Sequence, residues 1–414
     1  MRRYSSEPYE FVPPYRSRFW VRLVIPFTPF LRRLAFGIRR FEARGVSHLR
    51  DPLQRKAGIL LAPNHWCMAD GFVVGSLGAK AGAACHYLVA EHIFKLGRFR
   101  GWFIRRLGAF SVLREGSDRE ALRAGVQILA EGRRPLVVFG EGTWYRQNDR
   151  LGPLQRGAVL MAEMAARASN RPIVIQPVAI RYWLLADPRP RLRQRLDALE
   201  RHMGCSLLRP QGILARLEAV SVAWLRAQER AHLGREQAGD VEARRLGLLA
   251  ELLARLEDHA FARQFNEQVM DRVRRLRTAF VRQLTSSGGD GQNTVVAKSL
   301  DLLLLCEQLY SHSLVTVRER PSWDRVAESV QRLAEIVWDE FERPVAPMGV
   351  VVDAGEAIEV SATRGRLAGG SDPSNDLTAC VARRVQDQLD RLSADGPPAA
   401  WNVPVTAWGD PRAA

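Results

Sequence analysis

Short apolar runs bounded by turn residues occur in the first half of the chain. Residues 58–63, 135–139 and 172–180 are such runs, and apolar runs of this length are typical of buried strands. Residues 108–114 instead alternate between apolar and small or polar residues, as a half-buried strand does. We therefore predict an α/β domain built on a mixed sheet flanked by helices.

The middle of the chain has a helical pattern. Its leucine-rich amphipathic runs span roughly 191–231, 237–284, 295–317 and 323–341. Apolar residues at helical spacing predict helices that pack on one another, and we find neither sustained heptads nor an internal repeat. Strand-like sequence then returns at 348–360. The pattern therefore predicts a large all-helical insertion into the α/β domain.

The chain accordingly divides into five parts. Residues 1–50 are a basic and aromatic N-terminal segment, 51–183 the catalytic core, 184–343 the helical insertion, and 344–395 the return of the chain to the catalytic domain. Residues 396–414 are rich in proline and alanine, and we expect them to form a loose tail.

The candidate chemistry begins directly after the first apolar run. Asn64 and His65 follow it, and Asp70 comes five residues after the histidine. A regular helix would not put residues five apart on one face, so the pair can meet only if His65 lies on a turn and Asp70 in the first turn of a helix that Asn64 could cap. A histidine held by a carboxylate can act as a general base toward an alcohol. Taken alone, the pair also fits an ordinary core or capping histidine.

Three further features follow the histidine in order along the chain. Arg114 ends the alternating segment, the loop 141–143 (Glu-Gly-Thr) follows the second apolar run, and Pro177 lies inside the third. Together with the turn 64–70, this order resembles the glycerolipid acyltransferases, a family with an NHxxxxD motif, a glycine-to-arginine motif, an EGT(R) motif and a late proline. The resemblance covers roughly residues 50–183.

The resemblance implies a reaction and roles for these residues. His65 would deprotonate a hydroxyl that attacks an acyl thioester, and Asp70 would orient the histidine. The residues implied in binding the substrate, chiefly the phosphate of the acceptor, are Asn64, Gly108, Arg114, Glu141, Gly142, Thr143, Arg146 and Pro177. Residues 355–358 resemble the strand that closes the catalytic domain in this family.

One position departs from the family pattern. Trp144 follows the EGT residues, where the family usually has arginine or serine. Tryptophan cannot replace a phosphate-binding guanidinium, because its indole offers one neutral donor. Two interpretations stay open: Arg146 reaches back to the phosphate, or the acceptor is not a simple phosphate monoester.

Two other groups near the motifs have alternative interpretations. The backbone amides of Gly140 and Gly142 could bind a phosphate or the developing oxyanion, or they could belong to an ordinary turn. Cys67 could be a nucleophile, but acyl transfer of this kind needs no covalent enzyme intermediate, so we expect a bystander thiol.

Charge and cysteine usage narrow the class of protein. The formal net charge is +16, and only four residues are lysine, so almost all of the positive charge is arginine. Arginine of this abundance can reflect a GC-rich genome, or it can attract anionic lipid. We expect no nucleic-acid partner, because no helix-turn-helix, zinc-finger or RNP-like signature is present. Five scattered cysteines without CxxC spacing predict reduced thiols in the cytoplasm and no metal site.

The N-terminal segment interleaves arginines with large apolar residues. Residues 1–50 hold eleven arginines against three glutamates, and residues 95–106 form a second basic and aromatic patch. We find neither a secretory signal nor a spanning helix. Such mixing suits a segment lying in the headgroup layer of a membrane. We therefore predict peripheral association with the anionic inner face of the membrane, the alternative being helices that simply pack on the catalytic domain.

The reaction that these features predict is transfer of a fatty acyl group from a thioester to a hydroxyl of a glycerolipid such as a lysophospholipid. Acyl-CoA or acyl-carrier protein would be the co-substrate, and no metal or redox cofactor is implied. Two alternatives stay open. One is a catalytically silent lipid-binding protein on the same fold, and the other is an interaction scaffold in which residues 184–343 are the functional part.

Overall fold

The computed structural model describes residues 9–17, 19–113, 118–142, 147–205, 212–286, 290–319, 321–340, 342–360 and 373–395. The chain forms two compact units. One comprises Tyr9–Leu185 with Pro347–Pro397, and the described part of the other is Ala186–Ala346.

A mixed sheet forms the centre of the first unit, as the sequence predicts. Its strands are β1 (Ile38–Arg44), β2 (Gly58–Pro63), β3 (His86–Ala90), β4 (Ala109–Val112), β5 (Leu136–Val137), β6 (Ile173–Leu184), β7 (Met348–Ala354) and β8 (Ile358–Glu359). The strand order is β1-β7-β6-β2-β5-β3-β4, with β8 paired to β6. Strands β2 to β6 are mutually parallel where they pair, whereas β6 pairs antiparallel with β7 and β8.

The described helices are α1 (Phe19–Val24), α2 (Thr28–Phe36), α3 (Val46–Gln54), α4 (Asp70–Lys80), α5 (Glu91–Lys95), α6 (Arg98–Arg106), α7 (Arg119–Glu131), α8 (Gly157–Ala168), α9 (Arg189–His202), α10 (Ile213–Leu233), α11 (Val241–Phe261), α12 (Val269–Ser286), α13 (Asp290–Ser311), α14 (Val315–Glu319), α15 (Trp323–Trp338) and α16 (Pro373–Ala394). A single 3-10 turn, Ile25–Phe27, joins α1 to α2. Within the described ranges, no helix has both the length and the apolar character needed to cross a bilayer.

Helices cover both faces of the sheet. The buried side chains of α7, α8 and α16 pack with Leu60, Phe110 and Ile175 on one face, while α3 and α4 contact β7. Every residue of β2 is buried. Burial on both faces explains why the central strands read as continuous apolar runs rather than as alternating ones.

The N-terminal residues cover one edge of this sheet and supply the other. Val12 exchanges two hydrogen bonds with Ser111 of β4, its N–H donating to the Oγ and its carbonyl accepting the backbone N–H. Covering an edge strand in this way hides unpaired backbone groups. Residues 38–44, which the sequence pattern assigned to the N-terminal segment, are strand β1 of the sheet instead.

Two of the predicted long helices are each two helices. The run 191–231 is interrupted after α9, where Gly204 has a φ of +66°, and the run 237–284 is interrupted after α11, where Ala262 has a φ of +51°. Left-handed residues of this kind end helices. The glycine is a recognisable stop signal, but the alanine is not, so the second break could not be seen in the sequence.

The helical unit contains a repeat that the sequence pattern did not reveal. Helices α10, α11 and α12 begin 28 residues apart, and each carries an arginine at its fourth position. These arginines each form two hydrogen bonds with one buried glutamate of the preceding helix, in the pairs Arg216–Glu200, Arg244–Glu229 and Arg272–Glu257. Paired planar groups fix geometry as well as charge, so the same ion pair sets the contact between successive helices.

Candidate active site

The turn between β2 and α4 is fastened to β6 by an asparagine. The Nδ2 of Asn64 donates to the carbonyl of Ile180 at 3.0 Å, and its Oδ1 accepts the N–H of Ile180 at 2.7 Å. The carboxamide therefore continues the β2–β6 pairing beyond Pro63. The prediction that Asn64 caps the helix is wrong, because Ala69 precedes α4 without a side-chain cap. Both polar atoms of the carboxamide bond the backbone of β6. We therefore assign Asn64 a positioning role in place of the substrate contact predicted for it.

The carboxylate of Asp70 collects donors from the whole turn. Its Oδ2 accepts the Nδ1–H of His65 at 2.8 Å and the backbone N–H groups of Trp66 and Cys67 at 2.7 and 2.8 Å. Its Oδ1 accepts the hydroxyl of Tyr182 at 2.6 Å. Asp70 has no exposed surface, and these bonds offset the cost of burying its charge. The structure thus brings His65 and Asp70 together in the arrangement expected from their spacing.

The imidazole of His65 is oriented by two contacts. Phe139 stacks on it with ring centroids 4.1 Å apart, and its Nδ1 faces Asp70. A carboxylate oxygen only accepts, so in the neutral ring Nδ1 carries the proton and Nε2 carries the lone pair. The side chain is 17% exposed, which gives a substrate access to it. This tautomer is the one that a general base requires.

Glu141 supports the histidine through the main chain. Its Oε1 accepts the N–H of His65 at 2.7 Å, and its Oε2 accepts the N–H of Gly152 at 2.9 Å. Burial raises the pKa of Glu141 to about 8; the two amide donors oppose this rise, and the carboxylate of Asp70 adds to it. Both oxygens are directed at backbone, so Glu141 holds the turn in place rather than presenting its carboxylate to an acceptor.

Gly142 is a turn residue whose amide is already used. Its φ is +70°, which strains a residue that has a Cβ, and an added Cβ would lie 1.8 Å from the Nε2 of Gln155 and would displace that side chain. Its N–H donates to the carbonyl of Phe139 at 3.1 Å. The ordinary-turn interpretation of this glycine is therefore the one that the geometry favours, and its amide is not the oxyanion donor considered for it.

Gly108 lies away from this site. It precedes β4, whereas His65 follows the end of β2, and these parallel strands run in the same direction. The register places Gly108 level with the start of β3, at the amino-terminal ends of the strands, whereas His65 lies at their carboxyl ends. Its φ of +103° and its closeness to the carbonyl of Cys85 explain why a glycine is needed there. The prediction that Gly108 contacts the substrate is therefore wrong.

The remaining predicted residues fall into two groups. Pro177 is buried within β6, beside Ala62 of β2, and its carbonyl accepts the N–H of Gly355 at 2.9 Å. It shapes the sheet beneath the turn. Four residues lie outside the described residues, and their predicted roles stay predictions: Arg114, Thr143, Trp144 and Arg146.

Two residues of the site were missed by the sequence patterns. Tyr182 on β6 donates to Asp70, and its pKa is raised well above its usual value, first by burial and then by the Asp70 carboxylate. Asn148 exchanges hydrogen bonds of 2.6 and 2.8 Å with the backbone of Tyr182. Asn148 thus fastens its loop to β6 in the way that Asn64 fastens the histidine turn.

The geometry favours the bystander role expected for the thiol of Cys67. The Sγ of Cys67 is buried, 3.8 Å from Asp70 Oδ1 and 3.9 Å from the hydroxyl of Tyr182. The thiol therefore lies beside Asp70, the acid of the His65–Asp70 pair. Among the described residues, no three histidine, cysteine or carboxylate groups come together as metal ligands would.

Comparison with known proteins finds similarity in the part of the chain that holds this site. Residues 45–181 match the family model described as Acyltransferase, which confirms, for this part of the chain, the resemblance to an acyltransferase family. Over 79 residues the chain is 33% identical to the 1-acyl-sn-glycerol-3-phosphate acyltransferase of Streptococcus pneumoniae. This match covers 19% of the chain and 28% of that relative, so the chain spans under a third of the relative's length.

The raised pKa of Glu141 predicts a pH-dependent stability. Between its ordinary pKa of 4.5 and the folded value of about 8, the folded state binds the proton more tightly than the unfolded state. The free energy of unfolding therefore falls as pH rises through this range. Glu141→Gln removes the titration, so we expect wild type to lose stability relative to this variant from pH 5 to pH 8, as measured by urea unfolding.

Glu120→Gln is the matched control, because Glu120 is exposed on α7. Its unfolding free energy should follow wild type across the same pH range. Parallel profiles for wild type and Glu141→Gln would contradict the account of Glu141.

Proposed function

We propose that the protein transfers a fatty acyl group from an acyl thioester to a hydroxyl of a glycerolipid. The observation that carries this proposal is the 2.8 Å bond between His65 and the buried Asp70, inside the part of the chain that matches the acyltransferase family. The similar Streptococcus pneumoniae protein is a 1-acyl-sn-glycerol-3-phosphate acyltransferase, which supports a lysophospholipid as the acceptor.

The proposed mechanism uses His65 as a general base. Nε2 takes the proton of the acceptor hydroxyl while its oxygen attacks the thioester carbonyl, and the carbon–sulfur bond then breaks. Asp70 stabilises the imidazolium that forms and holds the ring in the required tautomer. The proton on Nε2 can be returned to the leaving thiolate, so the enzyme ends in its starting state. Acyl-CoA and acyl-carrier protein are the proposed donors.

The acceptor phosphate would be bound by residues that follow β4 and β5 in the chain. Arg114 and Arg146 are the proposed cations, following the family resemblance. The support for this proposal is that described neighbours of both arginines are held by hydrogen bonds. Leu113 donates its N–H to Asp118 at 2.9 Å, and Asn148 exchanges two hydrogen bonds with the backbone of Tyr182 on β6.

The basic and aromatic N-terminal residues support membrane contact. On α1, α2 and α6 several large apolar side chains are exposed, among them Phe30 at 62%, Leu34 at 71% and Phe99 at 77%. The rings of Trp20 and Trp102 lie 5.1 Å apart and join α1 to α6. The guanidinium of Arg106 lies 4.1 Å from the ring centroid of Trp102. We propose that this interfacial surface, formed by α1, α2 and α6, binds the anionic inner face of the membrane peripherally, from the cytoplasm.

Replacing the base should abolish most of the transfer. We expect His65→Ala to lower acyl transfer about 10²- to 10⁴-fold while leaving the fold intact, because a positioned base contributes about this much. The assay is incubation with labelled acyl-CoA or acyl-carrier protein and a panel of lysolipids, with product analysis by mass spectrometry. Far-ultraviolet circular dichroism would verify folding.

His202→Ala serves as the matched control, because His202 is an exposed histidine of α9, and it should retain full activity. Full activity in His65→Ala would reject the base assignment. Lipid binding by wild type without any lysolipid-dependent thioester consumption would favour the silent lipid-binding protein instead.

The interfacial surface predicts a second result. Phe30→Ser with Leu34→Ser should lower flotation with anionic phospholipid vesicles at least about tenfold, because each side chain loses about 1.5–3 kcal/mol of apolar burial. Leu160→Ser with Leu246→Ser is the control pair, since both leucines are exposed, at 41% and 47%, on helices outside the interfacial surface. Equal flotation of the two pairs would exclude α2 from the interface, and binding should weaken with added salt.

A further inference from the structure

A cavity of about 730 Å³ opens near the amino-terminal ends of β3 and β5, whereas the candidate active site lies beyond the carboxyl end of β2. His86, the first residue of β3, lies in its wall together with Arg134, which precedes β5. The register puts His86 beside Leu136 and Leu136 beside Leu60. From Leu60 to Pro63, the last residue of β2, the strand runs roughly 10 Å at about 3.3 Å per residue, and His65 lies beyond that end. The cavity is therefore separate from the histidine site.

Basic side chains dominate the wall of this cavity. Four arginines line it, at positions 16, 22, 133 and 134, against one carboxylate, Glu131. Arg16 bonds Glu131 at 2.6 Å. Arg134 is buried and donates to the carbonyls of Tyr15 and Ala84, so its charge is fixed at the base of the cavity. The wall as a whole carries an excess of positive charge.

The pKa of His86 responds to burial and to these arginines. Its pKa is lowered to about 4, mainly by burial and then by Arg134 and Arg16, although Glu131 and a hydrogen bond to Gly108 oppose the shift. The ring is therefore neutral near pH 7. Its Nδ1 lies 3.0 Å from the carbonyl of Gly108, and a carbonyl only accepts, so Nδ1 carries the proton.

One face of α1 adds apolar groups beside the arginines. Phe19, Arg22 and Leu23 are spaced i, i+3 and i+4, so they share a helix face, and all three line the cavity. Phe19 is 63% exposed and Leu23 is 48% exposed. The same short helix thus offers a guanidinium and two large apolar side chains to one ligand.

We propose that this cavity is a second anion-binding site, one that takes a phosphate group attached to an apolar tail. Arg22 and Arg133 bind the phosphate with charge-assisted hydrogen bonds, and Phe19 and Leu23 pack on the apolar part. The volume fits a phospholipid headgroup with the first carbons of its chains, within the usual range of ligand pockets. Exposed apolar residues continue from α1 onto α2, which favours a lipid of the bilayer as the source. The inference does not depend on the acyl-transfer proposal.

Calorimetric titration of the full chain with dioctanoyl phosphatidate, below its micelle concentration and without an acyl donor, tests the site. We expect Arg22→Ala with Arg133→Ala to weaken one binding component at least about tenfold, because two guanidinium–phosphate contacts are lost. Arg123→Ala with Arg167→Ala removes the same charge from exposed positions outside both the cavity and the interfacial surface and should keep that component within twofold.

Three further ligands separate the possible sources of the phosphate. Dioctanoyl phosphatidylcholine should bind at this site more weakly than phosphatidate, because its headgroup carries a compensating positive charge. Equal binding of sn-glycerol 3-phosphate would overturn the lipid part, and tighter binding of adenosine 3′,5′-bisphosphate would overturn the ligand class. Identical phosphatidate binding by the two double variants would overturn the site itself. Failure of acyl transfer would leave all of these results unchanged.

Discussion

The carboxylate of Asp70 is the interaction on which the candidate active site depends. It has no exposed surface, and its oxygens accept a ring N–H, two backbone N–H groups and a phenolic hydroxyl. A buried carboxylate is costly unless such donors compensate for the lost water. The donors come from the turn after β2 and from β6, so satisfying this one charge fixes both elements. The orientation of His65 follows from this arrangement.

Three side chains extend this rigidity outward. Asn64 and Asn148 each exchange two hydrogen bonds with the backbone of β6, and Glu141 joins the N–H of His65 to the N–H of Gly152. The turn, the loop after β5 and the segment before α8 are thereby tied to one strand. Catalytic groups held by packing and hydrogen bonds need little reorganisation in the transition state. The site is therefore built as a fixed support for one imidazole.

Sequence patterns were enough to predict the features that depend on burial or on residue spacing, namely the central strands and the His65–Asp70 contact. The central strands were visible because both faces of the sheet are covered, which makes β2 apolar along its whole length. The meeting of His65 and Asp70 followed from the strand–turn–helix pattern. Gly108 was grouped with the site because it belongs to the same sequence motif, but it precedes β4, and His65 follows the carboxyl end of β2. Tyr182 looked like any core aromatic of an apolar run, and only its need for a hydrogen-bond partner set it apart.

In the helical unit, the break at Ala262 had no glycine to mark it. The 28-residue repeat rests on single arginine and glutamate positions among variable neighbours.

The hydrogen bond to Asp70 predicts that the Nδ1 of His65 carries the proton. The ¹⁵N chemical shifts of the imidazole, recorded on selectively labelled protein and assigned with His65→Ala, report this directly. In the neutral ring we expect a protonated Nδ1 and an unprotonated Nε2, and Asp70→Asn should remove this preference. A neutral ring protonated on Nε2, or shifts that Asp70→Asn leaves unchanged, would contradict the claim that Asp70 directs this histidine.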